Sequence, residues 1–254
     1  KLIAKPDAPK LLLKELAAPG WRPEPIVMSA ITDIYQPIEH TMRIARQCLE
    51  VMAEHHQPVS TMTKSALVLR DVDLWSKLAQ KNAGMVIITI VTLDSELAQK
   101  LEPRASSPAG RLRAIRELTA AGIPVAVNVA PVIPGLTDHE LPAIMEAVAE
   151  AGARRVAWVM LRLPHQLKAL FLDWLERHVP DRASRVESLL RQAHGGKLYH
   201  AKKGHRGRGR GPIAVNTAKV FDVCCRRYGL NRDVRPLSGK SFRRPDVSGQ
   251  MGLF

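Results

Sequence analysis

The sequence predicts an α/β protein built on a parallel sheet, and three observations carry that prediction. Short apolar runs alternate with helical patterns five times along the chain. Two of the runs, VIITIV at 86–91 and VAVNVA at 125–130, are almost wholly apolar and rich in β-branched residues, as strands covered on both faces must be. Aromatic residues make up only 4% of the chain, which disfavours an aromatic-rich β-sandwich. At 254 residues the chain can bury a full core. Five strands do not close an eight-stranded barrel, so an open or partial barrel is expected, or a sheet whose remaining strands lie upstream.

The first strand pattern, 26–30, runs straight into the polar cluster Thr32, Asp33, Tyr35 and Gln36, and Pro37 then opens a helix over 38–54. Cys48 falls beside the centre of that helix's apolar stripe of Ile38, Met42, Ala45, Leu49 and Met52, which predicts a packed core thiol. The second strand, 58–63, is followed by Lys64 and Ser65 and by a helix over 71–82 with Asp71 at the N-cap position. Thr89 lies in the third strand, 85–91, with Thr92 just beyond it. Asp94 occupies a further N-cap position, and Ser107 before Pro108 opens a helix over 107–122. Gly122 and Gly152 end the helices 107–122 and 138–151 immediately before strands at 124–130 and 155–161. A fifth helix covers 165–177.

Loops leaving the carboxyl ends of parallel strands converge on one pocket. An anion at Asp33 and a cation at Lys64, with hydroxyls between them, suit an amino-acid zwitterion: ammonium to the Asp, carboxylate to the Lys. Hydrogen-bonded strand termini with an internal Lys–Asp pair would use the same residues. The stiff apolar turn PVIPGLT at 131–137 suits contact with a flat ring such as adenine, or serves only as a connection. Other signatures fail. The GKS at 239–241 has Val234 where a phosphate loop needs its first glycine, His139 lacks a second histidine four residues on, and no Gly-x-Ser-x-Gly elbow occurs.

Net charge is +14, and it is unevenly placed. Residues 195–254 carry 14 Lys and Arg against 3 Asp, whereas residues 1–194 carry 24 against 21. This divides the chain into a sheet domain, 1–194, and a basic extension, 195–254. Within the extension, Lys197, Lys202, Lys203, Arg206, Arg208 and Arg210 stand among glycines, a pattern expected to leave mobile cations suited to phosphates, followed by a helix near 213–228. Such a segment attracts polyanions, nucleic acid above all, or merely solubilises the chain. No apolar run reaches the roughly 18 residues that span a bilayer, and no signal pattern opens the chain. Cys48, Cys224 and Cys225 have no metal-ligand spacing and fit a reducing, cytoplasmic location with no membrane partner.

The segments TDIYQPIE (32–39), MTKSALVLRD (62–71), TIVTLDSELAQKLEPR (89–104), VAPVIPGLTDHE (129–140) and LRLPH (161–165) together resemble the radical S-adenosylmethionine proteins of the DNA-repair-photolyase type, relatives of spore photoproduct lyase. The resemblance covers most of residues 1–205. It implies a partial (β/α)6-type, TIM-like barrel of which strands two to six are present and the first is missing. It also implies S-adenosylmethionine as cofactor, with Thr32 and Asp33 near the methionine ammonium, Lys64 at its carboxylate, Thr89 as a fourth-strand hydroxyl, and Ile133 and Pro134 near adenine. Family members hold a 4Fe–4S cluster on a C-x3-C-x2-C loop after the first strand, and that spacing is absent here. The expectation is therefore that the full-length protein generates a deoxyadenosyl radical and acts on nucleic acid, with DNA-lesion repair as the reaction, and that this chain alone does not. A non-catalytic nucleic-acid-binding or clamp-associated protein on a degenerate barrel, and a radical enzyme for a small substrate, are the alternatives. The end of the chain, with Gln250, Leu253 and Phe254, resembles the short peptides that dock on the bacterial sliding clamp.

Overall fold

The computed structural model describes residues 3–29, 31–199, 207–232 and 234–246. Five strands, β1 Ile26–Met28, β2 Val59–Thr63, β3 Gly84–Ile90, β4 Val125–Val132 and β5 Arg155–Met160, form one sheet in sequential order. The pairs β1–β2, β2–β3 and β4–β5 are parallel. Sequential parallel order requires each connection to cross over, and helices supply the crossings. Those between strands are α2 Glu39–Met42, α3 Ile44–Glu54, α4 Val72–Gln80, α5 Ser95–Leu101, α6 Pro108–Ala120 and α7 Leu141–Glu150; α1 Ala8–Ala17 comes before β1 in the chain, and α8 Leu167–His178, α9 Pro180–Ala193 and α10 Gly211–Arg227 come after β5.

By its internal contacts the chain divides into two compact units, residues 1–88, 116–125 and 235–254 in one and residues 89–115 and 126–234 in the other. In the first, α3 packs on α1 and on α4 over fully buried Leu49, Met52, Trp75 and Leu78. In the second, α9 packs on α8 and α10, and Ile133, Leu136, Leu163, Val186 and Leu190 form one cluster.

The expected strands and helices are found, with informative departures. The helix expected over 38–54 breaks at Arg43, which adopts φ 50°. The break exists because the Glu39 carboxylate accepts the N–H groups of Ala45 and Arg46 at 3.1 and 3.2 Å, capping α3 from the preceding turn. Strand β1 stops two residues short of expectation, where Ser29 turns to φ 78°. Asp94 and Ser107 cap as expected, accepting from Glu96 and Leu97 and from Gly110. Asp71 does not cap α4; its carboxylate is taken by Arg46 and Arg70 instead.

The basic extension departs most. Residues 207–210 lie along β5, where the Met160 N–H donates to the Gly207 carbonyl at 2.9 Å and the Arg210 N–H to the Ala193 carbonyl at 2.6 Å. Gly209 has φ +75°, and a Cβ there would sit 2.8 Å from the Ala193 oxygen, so only glycine fits. Residues 235–246 form a strap across the loops that precede β1, β2 and β3. The Arg243 N–H donates to the His55 carbonyl, Ser238 to Asn82, and the Arg244 guanidinium to the carbonyls of Ala18 and Trp21. Gly239, the glycine of the rejected GKS, packs against Pro23 with no room for a Cβ.

Candidate functional site

In the first unit, Thr32 is exposed just past β1, and Asp33 follows it half-buried. The Asp33 carboxylate accepts three hydrogen bonds: from the Tyr35 N–H at 2.9 Å, the Thr63 hydroxyl at 2.8 Å and the Lys64 N–H at 2.9 Å. Asp33 thus fastens the loop after β1 to the end of β2, in part through the backbone N–H of Lys64. A carboxylate offers about four acceptor directions, so three donors leave room for one cation. A cavity of about 290 Å³ opens beside Thr32, lined by Met28, Ile34, Ile38, Met42 and Cys48. Cys48 is buried as expected, and burial, with Glu39 nearby, pushes its thiol up to about 11, so it stays protonated near neutral pH.

Beneath this loop lies an ionic network that links two of the sequence motifs. Arg70 donates to the carboxylate and carbonyl of Glu39 at 2.9 Å and to both oxygens of Asp71 at 2.8 Å. Arg46 reaches Asp71 at 2.9 Å and Asp73 at 2.9 and 3.0 Å. The Tyr35 hydroxyl is buried, accepts from Trp75 Nε1 at 3.0 Å, and has its pKa raised first by burial and then by the Asp71 charge. Sequence reasoning assigns no role to Tyr35, Glu39 or Arg70 and reads Asp71 only as a cap. The signal is present, since all four lie inside TDIYQPIE and MTKSALVLRD.

In the second unit, Thr89 is buried in β3 and its carbonyl accepts from buried Arg111 at 2.9 Å. Arg111 also pairs with Glu102 at 2.5 Å. Glu140 holds the loop beyond β3, accepting from the Thr92 hydroxyl at 2.5 Å and the Leu93 N–H at 2.7 Å. That is the role of the carboxylate after His139. Ile133 and Pro134 are both buried; the Ile133 N–H is bonded to the Thr137 hydroxyl at 3.0 Å. The Ile133 side chain is fully buried within the apolar cluster of this unit.

Of the cationic residues, Lys197, Arg208 and Arg210 are exposed. The Arg208 guanidinium sits 4.6 Å over the Trp158 ring, and a groove of about 400 Å³ runs beside it past Arg210, Val215, Phe221 and Asp222. Lys202, Lys203, Arg206, Gln250, Leu253 and Phe254 lie outside the described residues. The cysteines do not suit an iron–sulfur cluster. Cys48 is buried in the first unit, Cys224 and Cys225 are adjacent on α10 in the second, and no group of three metal-ligating side chains occurs among the described residues. Nor is any helix among them long and apolar enough to cross a membrane.

Comparison with known proteins places these features. The radical SAM superfamily profile matches residues 4–148. The uncharacterized protein Rv2578c of Mycobacterium tuberculosis is 32% identical over 194 residues, which are 76% of this chain and 57% of that protein. The uncharacterized protein MJ0683 of Methanocaldococcus jannaschii is 35% identical over 115 residues, 45% of this chain and 43% of that protein. The chain therefore spans about half the length of these relatives. Among solved structures, spore photoproduct lyase complexed with dinucleoside spore photoproduct superposes with a TM-score of 0.63 at 16% identity, covering 87% of this chain and 63% of that one. A spore photoproduct lyase mutant with bound AdoMet and dinucleoside spore photoproduct gives 0.58 at 17% identity, with 80% and 58% covered. These likenesses bear out the partial TIM-like barrel. The family implies S-adenosylmethionine and a 4Fe–4S cluster, although the cysteines of this chain do not fit the cluster. A profile match over more than half of its length makes this chain a member of the radical SAM superfamily.

Proposed function

We propose that this chain is the part of a radical SAM enzyme that holds S-adenosylmethionine and nucleic acid, and that the whole protein repairs lesions in DNA. The observation that carries the nucleic-acid reading is the mounting of the extension's charge. Arg208 and Arg210 project from backbone hydrogen-bonded to Met160 and Ala193, so their charges are offered to a polyanion from an ordered surface. Support for lesion repair is the fold shared with spore photoproduct lyase.

For the cofactor, Asp33 has one acceptor direction left for the methionine ammonium, and Lys64 beside it serves the carboxylate. Thr89 lies in β3, and the apolar turn that carries buried Ile133 and Pro134 is the adenine neighbour of this reading. The cofactor supplies a deoxyadenosyl group for radical chemistry when bound with a cluster. Because no cysteine set in this chain fits that cluster, the reaction is assigned to a protein that carries its ligands in addition to these residues. A cytoplasmic location and a sliding-clamp contact through Gln250, Leu253 and Phe254 belong to the same proposal, in which the clamp tethers the enzyme to replicating DNA.

The test is product analysis. The cluster-bearing protein, reduced under anaerobic conditions with S-adenosylmethionine, is expected to release 5′-deoxyadenosine faster with ultraviolet-irradiated DNA than with intact DNA. A rate indifferent to both DNAs but stimulated by a small molecule would assign it to small-substrate chemistry instead.

A further inference from the structure

Helix α10, residues 208–210 and Trp158 of β5 line a groove of about 400 Å³ whose two ends differ in chemistry. Its floor is low and apolar, because α10 presents Ala214, Ala218 and Phe221 to it at helical spacing. Trp158 is 2% exposed, and its ring centre lies 6.4 Å from that of Phe221 with the planes tilted by 50°. The Arg208 guanidinium sits 4.6 Å over the Trp158 ring and forms no ion pair or hydrogen bond among the described residues. One face of a flat cation is therefore occupied by the indole, while its other face and its N–H fork remain unengaged. Gly209 makes this approach possible: a Cβ there would lie 3.2 Å from that of Ala214. Exposed Arg210 lines the groove beside Arg208, and exposed Asp222 lines it further along α10, without an ion pair among the described residues.

These groups make three demands on an occupant. The open guanidinium face suits a flat ring, the Asp222 carboxylate needs an N–H donor, and Arg210 suits an anion. A nucleobase with an exocyclic amino group, carried on a phosphate backbone, meets all three. An acidic polypeptide would bring its carboxylates against Asp222, and an apolar one would answer neither charge. The volume falls within the roughly 300–1,000 Å³ of small-ligand clefts, which suits a nucleotide rather than a duplex. Inside a duplex the faces of a base are stacked and its amino group is paired, so a base that enters the groove must be unpaired. We infer that this groove takes one unpaired, amino-bearing base of a nucleic-acid strand, stacked on Arg208 with its amino group donating to Asp222. The assignment rests on the nucleic-acid reading above and adds to it the state of the strand and the base preferred.

The test measures binding of the full chain to short labelled strands of oligo-dC and oligo-dT and to a paired duplex. Cytosine offers an amino group where thymine has a carbonyl, so the parent is expected to hold oligo-dC about tenfold more tightly than oligo-dT. Asp222→Ala, at an exposed position, should remove that preference. Arg208→Lys keeps the charge, and with it the salt dependence, but loses the planar fork and should weaken oligo-dC binding about tenfold. Thermal melts of both variants check that they fold. A parent that holds the two strands equally, or an Arg208→Lys variant with parental affinity for oligo-dC, overturns the assignment and leaves the nucleic-acid reading standing. A parent chain that binds neither strand nor duplex overturns both. Competition by dCMP as strong as by oligo-dC would give the groove to a free nucleotide, and equal competition by oligo-glutamate would give it to an acidic polypeptide. Loss of self-association in Arg208→Lys with strand affinity unchanged would give it to a second copy. Each of these three results also overturns the assignment.

Discussion

The loop 32–39 and the segment 207–210 are both polar, and both look from sequence like surfaces for ligands, but they spend their polar groups differently. In 32–39 most of the polar capacity is turned inward. Asp33 ties two strand ends, Glu39 caps a helix, and Tyr35 joins a buried ionic network. In 207–210 the backbone does the holding, through Gly207 and Arg210, and the arginine side chains are left exposed. A charged side chain at a strand end is therefore scaffold first and ligand second, whereas the charged side chains on this backbone-anchored edge stay exposed. The comparison separates residues whose loss should unfold the protein from residues whose loss should weaken binding.

The largest expected effect is in the first region. Glu39→Ala uncaps two helix N–H groups and removes one of the two carboxylates that hold Arg70, and should cost about 2–4 kcal/mol, read by chemical denaturation. A cost near zero would show that the network is not structural. Tyr35→Phe leaves the Trp75 donor and the Asp71 acceptor short of a partner and should cost about 1–3 kcal/mol. It should also change the alkaline limb of the stability curve. Because folding raises the Tyr35 pKa above its ordinary 10.0, the unfolded state loses its proton first and stability falls as pH rises past that value. The phenylalanine variant should lack that part of the fall.

In the second region backbone and side chain should dissociate. Gly209→Ala forces a left-handed conformation and a close approach to Ala193, and should cost about 1–3 kcal/mol. Arg208→Ala, which removes a partly exposed contact with Trp158, should cost about 0.5–1 kcal/mol while weakening DNA binding. The smallest effect is at Asp73, whose pKa is lowered first by its hydrogen bond to Arg46. Its stabilisation is present above the unfolded value of 3.8 and is lost as pH falls through the lower folded value. Exposure limits it to about 0.5 kcal/mol, so Asp73→Asn and the parent should converge in acid.

Much of the fold is legible in the sequence because short apolar runs and helix punctuation are local. The break at Arg43 is not, since its cause is a carboxylate that caps the next helix across the turn. Helix α9 is absent from the expected elements although its pattern is readable: Pro180 opens it, and Ala183, Val186, Leu190 and Ala193 keep helical spacing. The site is legible as a set of residue types, not as a set of bonds. Charge alone points to the Lys64 side chain, and gives no sign that the Lys64 backbone N–H donates to Asp33. The strap at 235–246 is invisible to sequence reasoning because its order comes from carbonyls of distant loops, which leave no pattern in its own residues.

The central claim, that the anchored cations of the extension serve a polyanion, is tested most directly by the salt dependence of DNA affinity. For the parent chain log K should fall steeply against log salt. Arg208→Ala/Arg210→Ala should reduce the slope by about 0.9 for each phosphate no longer neutralised, with thermal stability nearly unchanged. An identical slope in the variant, or an affinity that does not respond to salt, would contradict the account.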